Sequence, residues 1–316
     1  MLAKGTVCTV ADNRRMSISQ YIKIIGRGKD GARSLSREHA GDLFGQVLDG
    51  SVTDLEIGGF CLAMRIKGET PDEMAGFLDA TYARLNRLPA TAAPTVVLPS
   101  YNGARKLPVL TPLLALLLAR QGLPVLVHGS ATESARVCAS NVLLALDVAA
   151  STAINSIASG SVAFVPTEVL CPGLKRLLDV RRAVGLRNPA HSLVKLMNPC
   201  LGKSLVVSSY THPEYAISMA KTFALMQSNA LLLRGTEGEV VADARRMPQM
   251  DGFLAGRQFL LQEAQTGALS FMPDFPKGID VASTAAYIES VLSGAHPVPE
   301  PIARQVEHIL HLSSQL

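Results

Sequence analysis

The residues best suited to phosphate chemistry lie in two turns that follow short apolar segments. They are Tyr101, Asn102, Arg105, Lys106 and His128. The first four belong to the stretch Ser-Tyr-Asn-Gly-Ala-Arg-Lys at 100–106, directly after the apolar residues 96–98. Two adjacent cations beside a turn suit a phosphate group, nearby backbone amides add to the attraction, and a tyrosine ring suits stacking on a base. The pattern predicts an anion site; exposed solubilising cations and a structural histidine are the alternatives.

Further candidates lie later in the chain. Arg187, in the stretch Arg-Asn-Pro-Ala-His-Ser, follows a basic segment and suits a bidentate phosphate contact. Glu237 and Glu239 stand in the turn Gly-Thr-Glu-Gly-Glu, where two carboxylates suit Mg²⁺ bound to a pyrophosphate, and a solvated turn is the alternative. The histidines at 308 and 311 have helical spacing but no acidic or cysteine companions, so no metal site is expected there.

Basic residues are concentrated in blocks. The net charge is only +4, yet residues 14–37 and 175–203 each hold seven cations against one acid, and residues 80–132 hold no acid. Further phosphate contacts are predicted from these blocks at Arg27, Lys29, Arg33, Lys175, Arg181 and Arg182. If the blocks meet in the fold, they form a basic groove for a polyanion, and solvated faces of a scaffold protein are the alternative. The Gly-x-Gly-x-x-Gly at 26–31 follows helical spacing and is interpreted as a flexible basic loop.

The composition excludes several classes of protein. With 316 residues, 48% hydrophobic and 18% charged, the chain is neither disordered nor fibrous. Its longest uncharged apolar run, residues 109–119, is too short for a membrane span of about 20 helical residues. The beginning of the sequence does not resemble a secretory signal, so a cytoplasmic protein is expected. Five cysteines, widely spaced and without Cys-x-x-Cys, indicate neither a disulfide framework nor a zinc site.

The elements that must position these residues form two parts. Residues 17–88 have helical spacing, with helix starts marked at Ser36 and at Thr70-Pro71, so residues 1–88 are predicted to be a small all-helical domain. After a Pro/Ala/Thr-rich linker at 89–95, short apolar strands alternate with helices, one of them from about 133 to 146. Residues 89–316 are therefore predicted to form an α/β domain with a mostly parallel central sheet. The basic helical segment near 172–190 is expected to pack on the helical domain.

The order of these motifs resembles the anthranilate phosphoribosyltransferase-like family, glycosyltransferase family 3, over nearly the whole chain. The segments that carry the resemblance follow the helical domain and read VVLPSYNGARK, VLVHGS, RNPAHSLVKLMNP, HPEY and GTEGEV. More closely, the chain resembles the YbiB-type branch, whose members are homodimers that bind nucleic acid without sequence preference. The resemblance implies a nucleoside-phosphorylase-like glycosyltransferase fold, in which the helical domain forms the dimer contact.

The chain departs from the enzymes of this family at their phosphate-binding motifs. Their Gly-Thr-Gly-Gly-Asp loop corresponds to Pro-Ser-Tyr-Asn-Gly at 99–103, their Lys-His-Gly-Asn-Arg to Val-His-Gly-Ser-Ala at 127–131, and their magnesium-binding Asp-Glu pair to the turn with Glu237 and Glu239. Arg187 matches their substrate-binding arginine. Proline and tyrosine in place of glycines leave fewer amides for a pyrophosphate.

These departures favour one functional hypothesis over another. We expect a nonspecific DNA- or RNA-binding homodimer that uses a basic cleft and no cofactor. The alternative is a glycosyl- or phosphoribosyltransferase that uses phosphoribosyl pyrophosphate, Mg²⁺ and an unidentified acceptor.

Overall fold

The first helices form a small bundle. The computed structural model describes residues 17–131, 135–268, 274–276 and 278–316. The bundle comprises α1 (Ser19–Ile25), α2 (Gly28–Gly31), α3 (Arg37–Asp49), α4 (Asp54–Lys67) and α5 (Pro71–Tyr82). The predicted helix starts are present: the Ser36 side chain accepts from the His39 amide, and Thr70 forms a capping box with Glu73. These caps satisfy amides that the first helical turn leaves without partners. Three phenylalanine rings, at 44, 60 and 77, pack together in the interior of the bundle.

The rest of the chain forms one seven-stranded sheet covered by helices. The strands are β1 (Thr95–Ser100), β2 (Val125–Gly129), β3 (Val162–Pro166), β4 (Ser204–Tyr210), β5 (Ala230–Arg234), β6 (Met250–Leu254) and β7 (Arg257–Gln262). The helices are α6 (Thr111–Arg120), α7 (Ala139–Ala145), α8 (Thr167–Leu170), α9 (Pro172–Val184), α10 (Ala190–Leu193), α11 (Pro213–Leu225), α12 (Val281–Leu292) and α13 (Glu300–Ser313). This is the predicted class: a helical domain joined to an α/β domain with a mostly parallel sheet.

The strand order places the ends of several strands at one edge. The order is β3-β2-β1-β4-β5-β6-β7, in which the first five strands are parallel to one another, β6 is antiparallel to β5, and β7 is antiparallel to β6. The chain order reverses between β1 and β4, so the loops that follow these two strands diverge from a common crevice. Ligand sites of open α/β sheets lie in such crevices, beyond the carboxyl ends of the strands.

The helical bundle and the α/β domain share a hydrophobic core. Helix α9 packs on α3, and α5 packs on α11. A Cβ atom at Gly173 would lie 2.2 Å from the Leu48 carbonyl oxygen, so only glycine allows α9 this close to α3. Arg176 donates to the same carbonyl at 2.8 Å. The basic segment that begins at Pro172 is thus fastened to the helical bundle by backbone contact as well as by apolar packing.

One predicted helix is shorter than expected. The spacing predicts a helix from about 133, but α7 begins at Ala139, and residues 132–134 lie outside the described residues. The amide of Ala104 donates to the Val137 carbonyl at 2.8 Å. This bridge ties the segment before α7 to the loop after β1 in extended form, so the helix prediction there is wrong. Within the described part of the chain, no helix is long and apolar enough to cross a membrane.

Candidate functional site

Two predicted contacts at the sheet edge are buried. Tyr101 is 7% exposed and His128 is fully buried. The Tyr101 hydroxyl lies 2.8 Å from His128 Nδ1 and 3.0 Å from Thr167 Oγ1. Burial lowers the pKa of His128 to about 3 and raises the pKa of Tyr101. Because the imidazole is neutral and both rings are buried, neither side chain can contact a phosphate or stack on a base. The structure therefore contradicts the prediction of both residues as nucleic-acid contacts. They brace the ends of β1 and β2 instead.

Glu239 is the buried anchor of the loop after β1. Its Oε1 accepts from the backbone amides of Asn102 and Gly103, both at 2.8 Å. Its Oε2 accepts from the hydroxyls of Ser100 and Thr111. The residue is only 2% exposed. Four donors surround this carboxylate, which holds the start of the loop against the turn that follows β5.

Glu237, in the turn that follows β5, holds the outer half of the same loop. Its carboxylate accepts from the backbone amides of Arg105 at 2.6 Å, Lys106 at 2.9 Å and Leu107 at 3.4 Å. Glu237 itself has left-handed backbone angles, with φ 52° and ψ 20°, which are costly for a residue with a side chain. Convergent backbone amides of this kind form an anion site. Here the anion is the chain's own carboxylate.

These contacts involve both glutamates, which are the candidate Mg²⁺ ligands of the transferase alternative. The acceptor sites of Glu239 are used by four donors, and those of Glu237 by consecutive amides. Among the described residues, no group of three or more histidine, cysteine, aspartate or glutamate side chains is placed to hold a metal ion. Both carboxylates therefore have hydrogen-bond donors within the chain itself.

The predicted cations of the loops meet at this edge of the sheet. Arg105 and Lys106 have exposed side chains, while their amides are held by Glu237. Arg187 donates to Asn102 Oδ1 at 3.2 Å, so the buried Asn102 positions this guanidinium rather than meeting a ligand. Arg182 is exposed on α9 and reaches the carbonyl of residue 131 after β2 at 3.4 Å. Cations from separate elements are thus brought to one edge.

A cleft of about 560 Å³ lies between the helical bundle and the α/β domain. Arg65 and Glu69 line it from the bundle side, and Arg187, His191 and Lys195 line it from the α/β side. Burial lowers the pKa of Lys195 to about 8 and raises the pKa of the Glu69 carboxyl. The lining of the cleft includes both acids and bases, with an excess of bases on the α/β side.

Three cations of the site were missed by sequence reasoning. Lys195 stands in the second basic block, and its Nζ donates to the Gly238 carbonyl at 3.0 Å. Arg136 donates to the Asn102 carbonyl at 3.1 Å. Arg65 belongs to no basic block. Lys195 could have been predicted from its place in the second basic block. Arg65 could not, because only the tertiary structure shows that α4 lines the cleft.

Other predicted cations lie elsewhere. The described lining of the cleft includes none of Arg27, Arg33, Lys175 and Arg181. Arg27 donates to the Lys23 carbonyl of α1, and Arg33 donates to carbonyls between α1 and α3. Lys175 pairs with Asp179 one turn further along α9. The side chain of Lys29 lies outside the described residues. The described cations of the first basic block therefore do not line the cleft, because the bundle presents the end of α4 there instead of α1 and α2.

Comparison with known proteins identifies the class to which a protein with this fold belongs. Residues 19–84 match the glycosyl transferase family, helical bundle domain. The chain belongs to the anthranilate phosphoribosyltransferase-like glycosyltransferases. It is 40% identical to the uncharacterized protein YbiB of Escherichia coli (strain K12) over 298 residues, 92% of each chain. It is 28% identical to the anthranilate phosphoribosyltransferase of Rhizobium meliloti (strain 1021) over 271 residues, 83% of this chain and 79% of that protein.

Solved structures show the same fold. The anthranilate phosphoribosyltransferase of Thermus thermophilus superimposes with a TM-score of 0.67 at 21% identity, over 90% of this chain and 85% of that one. The Saccharomyces cerevisiae enzyme, solved in complex with PRPP and Mg, gives a TM-score of 0.66 at 16% identity, over 94% and 88% of the two chains.

Proposed function

We propose that this protein binds nucleic acid without sequence preference, as a cytoplasmic homodimer, through phosphate contacts at the basic edge of the sheet. The observation that carries the proposal is the convergence of cations around a loop whose own amides are occupied. Arg105 and Lys106 are exposed while Glu237 holds their amides, and Arg182 and Arg187 reach the same edge from α9 and the segment after it. Cationic side chains gathered in this way suit a polyanion of variable sequence, because phosphate contacts carry no base information.

The filled loop argues against the transferase alternative. Phosphoribosyl transfer releases pyrophosphate, and its developing charge needs amides or a metal ion at close range. The amides of 102, 103 and 105–107 are instead satisfied by Glu239 and Glu237. A second anion in that place would compete with two carboxylates for the same amides. We therefore expect no magnesium-dependent turnover of phosphoribosyl pyrophosphate, and measured turnover would favour the transferase.

Salt dependence tests the electrostatic character of the binding. If Arg65, Arg105, Lys106, Arg182 and Arg187 each neutralise one phosphate of a duplex, the logarithm of affinity falls with the logarithm of salt with a slope of about −4 to −5. Fluorescence anisotropy with unrelated labelled oligonucleotides measures this slope. Affinity that is independent of salt, or that depends strongly on sequence, would contradict the proposal.

A charge-matched pair of variants tests the site. Arg105→Ala combined with Lys106→Ala should weaken binding to all sequences alike and reduce the magnitude of the salt slope by about 2. The control combines Lys203→Ala with Arg304→Ala and so removes the same charge elsewhere. Lys203 precedes β4 at the opposite edge of the sheet, and Arg304 is exposed on α13. Equal losses in the two double variants would indicate a general charge effect and no defined site.

The dimer part of the proposal is supported by an apolar stripe on α4. Leu55, Leu62 and Ile66 are 86%, 47% and 67% exposed, and they share a helix face with Gly58, where an added Cβ would meet no atom within 4 Å. A second copy of the chain would cover this face. Leu62→Asp should give monomers in sedimentation equilibrium. Leu144→Asp, at an exposed position of α7, is the matched control that should leave the mass unchanged.

A further inference from the structure

A second groove, of about 1390 Å³, lies on the other side of α11 from the cleft. Of its cations, only Lys106 was predicted as a phosphate contact from the sequence. Its lining includes five cations, drawn from the loop after β1, from α11, from the end of β5 and from the segment before β6. They are Lys106, Lys221, Arg234, Arg245 and Arg246. We call this cavity the outer groove. Its lining includes none of the residues of the first basic block.

Helix α11 separates the outer groove from the cleft. Tyr215, Ser218 and Thr222 line the cleft, whereas Ile217 and Lys221 line the outer groove, as expected for opposite faces of one helix. The two cavities meet beyond the amino-terminal end of α11, where Tyr210 and Thr211 line both. A chain lying in both cavities therefore passes around the beginning of α11.

The outer groove has a net positive charge, because its lining includes five cations and three acids. Asp243 pairs with Arg245 at 2.8 Å, so the two charges offset each other. Glu237 is held by the amides of 105–107. Asp251 is buried and accepts from Gln249 at 2.9 Å. Lys106, Lys221 and Arg234 remain as exposed cations.

The route around α11 suits a single strand better than a duplex. An α-helix is about 10–12 Å wide with its side chains, whereas bending even about 20–30 base pairs of duplex DNA by about 40–90° costs elastic free energy. A single strand turns within a few nucleotides. Ile217 is 63% exposed and the half-exposed Tyr210 lies at the junction, so apolar surface for bases accompanies the cations. The amides that begin α11 favour a phosphate there, while the exposed Glu214 of the first turn opposes it on the cleft side.

We propose that the outer groove is a binding surface for single-stranded nucleic acid, which continues from the cleft around the beginning of α11. This inference rests on the proposed function and deepens it, because it names the form of nucleic acid and its path. A duplex would contact the edge cations, Lys106 among them, without reaching Lys221 and Arg234.

The test compares single-stranded and duplex probes on one pair of variants. Lys221→Ala combined with Arg234→Ala should reduce the salt slope on oligothymidine of about 16 nucleotides by about 1.4, which corresponds to roughly 25-fold weaker binding near 0.1 M salt. Binding to a blunt duplex should be unchanged. Lys203→Ala with Arg304→Ala is the charge-matched control and should change neither probe. All four substituted side chains are exposed, and thermal unfolding checks that each variant is folded.

The outcomes separate the two proposals. If Arg65→Ala with Arg187→Ala weakens both probes while the Lys221 and Arg234 variant weakens neither, the outer groove is not a binding surface and the proposed function stands. Equal losses for single strand and duplex would also overturn the inference. Wild-type protein that binds neither probe at low salt would overturn the proposed function, and the outer-groove inference with it.

Discussion

Replacing Glu239 by glutamine tests whether the loop after β1 depends on a resident negative charge. The change keeps the size of the side chain. One oxygen still accepts from the amides of Asn102 and Gly103, while the new amide group has to donate toward the hydroxyls of Ser100 and Thr111. Hydrogen bonds to a charged group contribute about 1.5–3 kcal/mol each and neutral ones about 0.5–1.5 kcal/mol.

The magnitude follows from the four contacts. A loss of up to about 1 kcal/mol in each gives a destabilisation of about 2–4 kcal/mol for Glu239→Gln. At about 2 °C per kcal/mol in a chain of this size, Tm falls by about 4–8 °C. Glu239→Ala should cost more, because it leaves four buried donors without an acceptor. Calorimetry and urea unfolding measure both variants.

Glu237→Gln is the matched control. Its partners, the amides of 105–107, are near the surface, and water replaces the lost acceptor at little cost. We expect a change within about 1 kcal/mol. If Glu239→Gln were as mild as Glu237→Gln, the inner carboxylate would not be the anchor of the loop, and the argument that the chain fills its own anion site would lose its main support.

Three further predictions concern titration and packing. Burial lowers the pKa of Lys195 from 10.5 to about 8, so between these two pH values the unfolded chain binds a proton that the folded chain lacks. The free energy of unfolding should therefore rise with pH over that window. Lys195→Met should remove that rise from the pH profile of Tm. His128, with its pKa lowered to about 3, should show no imidazole titration by NMR between pH 7 and 5, and a midpoint near 6.5 would contradict its burial. Gly173→Ala should destabilise the protein by about 1–3 kcal/mol in urea unfolding, because its Cβ clashes with the Leu48 carbonyl. Gly59→Ala, whose Cβ makes ordinary van der Waals contact in the middle of α4, should stabilise the protein slightly. Similar effects of the two substitutions would refute the close approach of α9 to α3.

Much of the fold could be predicted because its signals are local. The hydroxyl-first starts of α3 and α5, and the apolar runs that became β1 and β2, act through contacts within a few residues. The antiparallel β6 and β7 were not predicted. The sequence of β7 has exposed and half-exposed positions along its whole length, so it lacks the apolar run that marked the inner strands.

The candidate site was predicted only in part. Arg105, Lys106 and Arg187 lie at the edge where the motifs pointed, but Tyr101 and His128 turned inward to pair with each other. Type and position along the chain do not tell which way a polar side chain faces. A tyrosine beside a cationic turn is equally compatible with an exposed ring and with a buried hydrogen bond, and the burial of the strand ends decided between them.

By itself the sequence determined the helix starts, the alternation of strands with helices and the clustering of cations along the chain, because these depend on neighbours within one or two turns. Only the tertiary structure decided that Glu237 and Glu239 meet amides more than 100 residues earlier in the chain, that Arg65 faces the cleft, and that Lys221 and Arg234 share a groove. The reason is electrostatic: the same carboxylate binds a metal ion, water or a row of backbone N–H groups according to which of them the fold brings within about 3 Å.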